Sequence, residues 1–157
     1  MDRLVEFISP IDEREFYITN INVIEILARN KYRRALPSII AATQLEGDIF
    51  DNNEVIRNAY ANLIYFPSQR TTDLLIEAVK KYSTSRYGFG IGLGLGFAEH
   101  ALETARQAGV LDGACPPVVH ELEKFIEYYR YIEHAAVRRA SRIMKEYGCP
   151  SIIFPDR

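Results

Sequence analysis

The histidines His100, His120 and His134 are the residues best suited to metal or acid–base chemistry in this chain. A di-iron helical bundle needs Glu-x-x-His pairs projecting into its interior. The residues three before each histidine are Phe97, Pro117 and Tyr131, so that motif is missing. Glu99 beside His100, and Glu133 beside His134, point to different helix faces as immediate neighbours. There is no His-Glu-x-x-His, no Gly-x-Ser-x-Gly and no Cys–His pair at a recognisable spacing. Carboxylate pairs such as Glu123 and Glu127 suit a solvated helix face. These residues point to no metal, no cofactor and no catalytic constellation, and the expectation is a protein that is not an enzyme.

Glycine is the next candidate. Gly88, Gly90, Gly92, Gly94 and Gly96 occupy every second position of YGFGIGLGLGF. A dinucleotide fingerprint needs glycines at relative positions 1, 3 and 6, and here the sixth position is always Leu or Phe. No GxxxxGK phosphate loop is present either. On a helix, Gly88, Gly92 and Gly96 form one small face, with Gly90 and Gly94 beside it, and such rows let another backbone approach closely. Each glycine costs about 0.5–1 kcal/mol of helix stability relative to Ala. A close neighbour, such as another subunit, is therefore expected to offset that loss. A glycine-rich strand is the alternative, because Ile91, Leu93, Leu95 and Phe97 also alternate.

The cations are grouped. Arg29, Lys31, Arg33 and Arg34 lie in a stretch from Ala28 to Leu45 that contains no acid. Lys80, Lys81 and Arg86 form a second group, with Tyr82 and Tyr87 interleaved. Further on, Arg130, His134, Arg138, Arg142 and Lys145 follow helical steps and define one stripe, with Arg139 alongside. Such stripes serve either as solvated faces with i,i+4 ion pairs or as phosphate-facing surfaces. The nucleic-acid-binding candidates are Arg29, Lys31, Arg33, Arg34, Lys80, Lys81, Arg86, Arg138, Arg142 and Lys145. The subunit-packing candidates are Gly88, Gly92 and Gly96.

The elements that must carry these groups are mostly helical. Ile21, Ile24, Leu27 and Ala28 have helical spacing in a segment ended by Pro37, although the Phe, Tyr, Thr, Ile and Val of Glu15 to Ile26 leave a strand open. Pro37-Ser38 could open a short helix stopping near Gly47. Asp51-Asn52-Asn53 reads as a cap, followed by Val55, Ala59, Leu63 and Phe66 on one face and by Pro67 as a stop. Thr72, with Glu77 in the early turns, is a cap candidate for a helix bearing Leu75, Ile76, Val79 and Tyr82. Ser83-Thr84-Ser85 breaks the pattern. Asp112-Gly113 with Pro116-Pro117 reads as the clearest loop. From Pro116 or Pro117 one helix of ~45 Å is expected to reach Tyr147. Its stripe is Val118, Leu122, Phe125, Tyr129, Ile132, Ala136, Ala140, Ile143 and Tyr147, with Gly148 closing it and Pro150 preventing continuation.

The fold class expected is all-α, an elongated helical bundle, four-helix-bundle-like in its C-terminal part, with an N-terminal helical arm. The division expected is an arm over residues 1–50 and a bundle over 51–157. In its 157 residues the chain is 48% hydrophobic and 25% charged, which excludes a disordered or low-complexity protein. Its formal net charge of −2 excludes a bulk-basic binder and confines any anion site to a local patch. Ten tyrosines and eight phenylalanines without tryptophan suit aromatic packing between helices and subunits. Cys115 and Cys149 are too few for a disulfide framework; two buried thiols are the simplest reading, one structural disulfide the other. The N-terminal residues carry acids where a signal peptide needs a positive start and an apolar core, and no apolar run is long enough to span a membrane. A soluble chain not exported by that route is expected.

The second half has a recognisable order. An amphipathic DLLIEAVKKY is followed by the turn STSR and by YGFGIGLGLGFAEHAL. After a Gly/Pro loop come ELEKFIEYY and AVRRASRIMKEYGCPSIIF. Over about Thr72 to Phe154 this resembles the C-terminal helical domain of the major coat proteins of archaeal filamentous double-stranded DNA viruses, of the rudivirus, lipothrixvirus and tristromavirus type. The resemblance implies a non-enzymatic coat subunit, polymerised helically around A-form double-stranded DNA as a homodimer or with a paralogous coat protein. It also implies residence in the virion after assembly in the host cytoplasm, with envelope contact in some members. Affinity would come from phosphates and shape rather than base readout. The basic cluster at Arg29 to Arg34 would face the duplex. One departure is that Met1 to Leu27 holds two Arg and six acids where the family's DNA-wrapping part is basic, which asks for a more basic partner. The competing reading, from the same basic patches on an all-α scaffold, is a small subunit of an archaeal ribonucleoprotein such as a CRISPR effector.

Overall fold

The computed structural model describes residues 3, 17–45, 50–83, 88–131 and 134–151. Arg86, Gly47, Ile132, the Thr84-Ser85 turn and the apolar tail from residue 152 lie outside them. Seven α-helices cover the described residues, and no strand occurs among them. They are α1 (Tyr17–Arg29), α2 (Leu36–Thr43), α3 (Phe50–Asn62), α4 (Gln69–Ser83), α5 (Gly88–Ala108), α6 (Leu111–Tyr129) and α7 (His134–Glu146). The all-α class stands, and both strand alternatives fall. None of the helices is long and apolar enough, among the described residues, to cross a membrane.

The chain divides into two compact units, Met1–Phe66 and Pro67–Arg157. The division lies downstream of residue 50 because α3 packs on α1 and α2. In the first unit, Ile24, Leu27 and Ala28 of α1 are fully buried, as are Val55, Ile56 and Ala59 of α3 or nearly so. Burial at helical spacing thus overrides the β-favouring composition of α1. Pro37 sits in the first turn of α2, where its missing N–H costs nothing. After α3 a single 3-10 turn, Leu63–Tyr65, leads to Phe66.

In the second unit, α4 and α7 each pack on both α5 and α6. Ser68 caps α4: its Oγ accepts from the Thr71 N–H at 3.2 Å, and Thr71 Oγ1 accepts from the Ser68 N–H at 3.0 Å. This reciprocal capping box replaces the cap expected at Thr72, which is buried inside the helix. Leu75, Val79, Leu95, Leu102, Val118, Leu122, Ala140 and Ile143 form the core between the four helices.

Two sequence expectations fail in α6. Asp112, Gly113, Pro116 and Pro117 are not a loop but its first turns. The prolines remove bonds to the carbonyls of Asp112 and Gly113, both exposed, so water can satisfy what the helix does not. The single long helix is also two: α6 ends at Tyr129 and α7 starts at His134. The steps Tyr129, Ile132, Ala136 keep helical spacing across the break, which hides it in the sequence. A further correction concerns the thiols. Cys115 in the early turns of α6 is disulfide-bonded to Cys149 just after α7, across a Cα–Cα distance of 5.3 Å. The bond ties the open end of an antiparallel α6–α7 hairpin.

Candidate nucleic-acid interface

The first basic cluster is built around a helix end. Tyr32 N–H donates to the Leu27 carbonyl at 3.0 Å and Lys31 N–H to that of Ala28 at 2.8 Å, with Lys31 at φ 51°. This pair of bonds closes α1 in the same way that α5 closes at Gly109 (φ 73°) and α7 at Gly148 (φ 65°). Two of the three ends use glycine, which enters the left-handed region freely; the third holds a lysine there at a cost. Arg29, Lys31, Arg33 and Arg34 are all exposed around this turn. Arg29 is ion-paired with Glu25 one helical turn back. The cations at the carbonyl end of α1 also complement its dipole.

Lys80 and Lys81 are exposed in the last turn of α4, where the dipole favours them equally. Lys81 Nζ lies 5.7 Å from the centre of the Tyr82 ring. α4 and α7 are joined through α5 and α6, so these lysines do not merge with the α7 stripe into one helix face. The Arg29–Arg34 cluster belongs to the other compact unit.

The α7 stripe is the strongest feature. His134, Arg138, Arg142 and Lys145 are exposed along one side of the helix, while Ala136, Ala140, Ile143 and Met144 are buried on the other. Among the described residues, Arg138, Arg142 and Lys145 have no ion-pair partner. Arg139, the neighbour of that stripe, turns inward instead. It donates from Nε and Nη2 to the two carboxylate oxygens of Glu99 on α5, at 3.2 and 2.8 Å. One turn further along α5, Glu103 accepts from Gln107 at 2.7 Å and from the Tyr147 hydroxyl at 3.4 Å, and pairs with Arg106 at 2.6 Å. The Gln107 hydrogen bond leads the effects that hold the Glu103 carboxyl below its ordinary range, while burial pushes the Tyr147 phenol up. These contacts fix α5 and α7 side by side in the same direction and leave the outer cations free of them.

Arg130 is not part of that stripe. It follows α6, and its guanidinium sits 4.6 Å from the centre of the Tyr131 ring. Tyr131 is 79% exposed and Tyr128 62% exposed, whereas Tyr129 between them is buried. The sequence carried one signal for this corner: of the tyrosines in Tyr128-Tyr129-Arg130-Tyr131, only Tyr129 fits the apolar stripe.

The glycines separate into two kinds. A Cβ at Gly94 would lie 3.0 Å from the Ser83 Cα and 3.1 Å from its nitrogen, so the close backbone approach that glycine permits is between α4 and α5. At Gly92 and Gly96 a Cβ would meet nothing within 4 Å. Gly88 opens α5, and its surroundings lie outside the described residues. No group of three or more His, Cys, Asp or Glu side chains that could hold a metal occurs among the described residues. No family model, curated protein or solved structure matches the chain.

Proposed function

We propose that this chain is a structural coat subunit that polymerises helically on double-stranded DNA, alone or with a paralogous and more basic coat protein. The observation that carries the reading is the α7 row: Arg138, Arg142 and Lys145 stand exposed, without ion-pair partners among the described residues, on a chain of net charge −2. Unneutralised cations at helical spacing suit a regular polyanion, and each phosphate contact releases counterions without reading a base. Arg29, Lys31, Arg33 and Arg34 would add a second contact, while the uncrowded Gly92 and Gly96 positions suit a neighbouring subunit's backbone. In this reading the protein has no catalytic role and resides in the virion after assembly in the host cytoplasm. The Cys115–Cys149 disulfide accords with a particle outside a reducing cytosol, and intracellular proteins of hyperthermophiles also carry such bonds.

The test is assembly. Protein mixed with linear duplex DNA at low salt, alone and with any partner coat protein, should give filaments of fixed diameter in negative-stain microscopy. Its log affinity should fall linearly with log salt, and Arg138→Ala with Arg142→Ala should reduce that slope by about 2. Protein that stays monomeric on duplex DNA at low salt rejects the reading. A strong preference for single strands without filaments would favour the ribonucleoprotein-subunit alternative.

A further inference from the structure

We infer that the α6–α7 corner is a stacking site for unpaired nucleobases, with Tyr131 and Tyr128 as the platforms and the adjoining α7 row holding the strand's phosphates. Tyr128 and Tyr131 are two of only three large hydrophobic side chains exposed among the described residues. Each ring has a neighbouring side chain against it. The Tyr128 ring stands edge-on to the buried Tyr129 at 4.7 Å between centres, and Tyr129 in turn packs on Phe125 at 4.6 Å. Arg130 stacks over one face of Tyr131 and leaves the ring mostly open. An aromatic face backed by a guanidinium on its far side is held ready for a second planar group.

The occupant follows from charge. The corner adjoins the start of α7, from which His134, Arg138, Arg142 and Lys145 run along the exposed side without acidic partners among the described residues. A planar apolar group carried on a polyanion matches this order of surfaces, and a single-stranded polynucleotide is such a ligand. Duplex DNA bound through its phosphates alone makes no use of the aromatic faces. The inference rests on the coat reading only in taking nucleic acid as the partner of α7, and it adds a second ligand form, the unpaired strand at duplex ends or openings.

The experiment compares the full chain with the double variant Tyr128→Ala/Tyr131→Ala and with Tyr131→Phe. Each is titrated with a fluorescent oligothymidylate and with a duplex of the same length at matched salt. The double variant should lose about tenfold or more in single-strand affinity, keep its duplex affinity within about twofold, and keep its salt slope, because stacking is not ionic. Tyr131→Phe should bind like the parent, since the ring and not the hydroxyl makes the contact. Both positions are exposed, so unchanged circular dichroism and melting are expected and are recorded with each titration. Unchanged single-strand affinity in the double variant overturns the inference while leaving the coat reading intact. A fall in oligomeric state with unchanged single-strand affinity also overturns it, making the corner a contact between copies. Failure to bind either form rejects both.

Discussion

Arg139 of α7 grips Glu99 of α5 with two prongs, at 2.8 and 3.2 Å, although the residue beside it, Arg138, stands fully on the outer face. Two adjacent arginines thus have separate work, one tying helices and the other facing solvent. Arg139→Ala should lower stability by about 1 kcal/mol, modest because the pair is part exposed, and should leave duplex affinity unchanged. Arg138→Ala should do the reverse, staying within about 0.5 kcal/mol in stability and weakening duplex binding. Urea unfolding and a duplex titration on both variants check the split.

Gly94 and Gly96 should respond oppositely to alanine. Gly94→Ala places a methyl against Ser83 backbone that cannot rotate away, forcing α4 from α5 at a cost of about 1–3 kcal/mol. Gly96→Ala meets open space and should stabilise the isolated subunit by about 0.5–1 kcal/mol through helix propensity. If Gly96 packs against another subunit in a filament, the same methyl should hinder assembly despite the higher melting temperature. Thermal melts and filament counts on the two variants separate these effects.

The disulfide closes a loop of 34 residues in sequence separation around the α6–α7 hairpin. Cross-linking a loop of that size should contribute about 3–4 kcal/mol on the chain-entropy account. Cys115→Ser/Cys149→Ser, or reduction of the parent, should lower the melting temperature by several degrees. The native chain should take up no alkylating reagent until it is reduced. Labelling of two thiols without reductant would reject the bond.

His100 makes stability depend on pH. Burial pushes its imidazole below the ordinary 6.5, Glu99 opposes that, and Arg139 adds to it; Nδ1 is buried with no hydrogen-bond partner among the described residues. Below pH 6.5 the unfolded chain therefore takes up a proton more readily than the folded one. The contribution is fully present above that value and is lost as pH falls through the folded-state value. Urea midpoints between about pH 7 and pH 5 should fall more steeply in the parent than in His100→Gln; equal slopes would show that His100 does not set the dependence.

Much of this architecture was legible in the residues because it rests on short-range rules. Val55, Ala59, Leu63 and Phe66 have the spacing of one buried helix face, and all four are buried. Gly148 occupies the left-handed position expected for a helix end. Leu75, Val79 and Tyr82 bury as their period requires. What failed involved partners distant in sequence. No local signal separates Tyr129 from Ala136, yet the chain turns there because Ala136, Ala140 and Ile143 gain more by folding back onto α5 and α6 than by extending into water.

Periodicity and charge, as properties of neighbouring residues, pointed to a mostly helical chain with locally basic segments in an acidic whole, while the β-favouring residues of α1 and the alternating glycines of α5 left strands open. The packing of the helices decided that Cys115 meets Cys149 and that Gly94 rather than Gly96 admits α4. It also decided that Arg139 turns inward while Arg138 and Arg142 do not. Each of these depends on which helix lies alongside, and helix packing is selected by the fit of whole faces rather than by any residue's own preference.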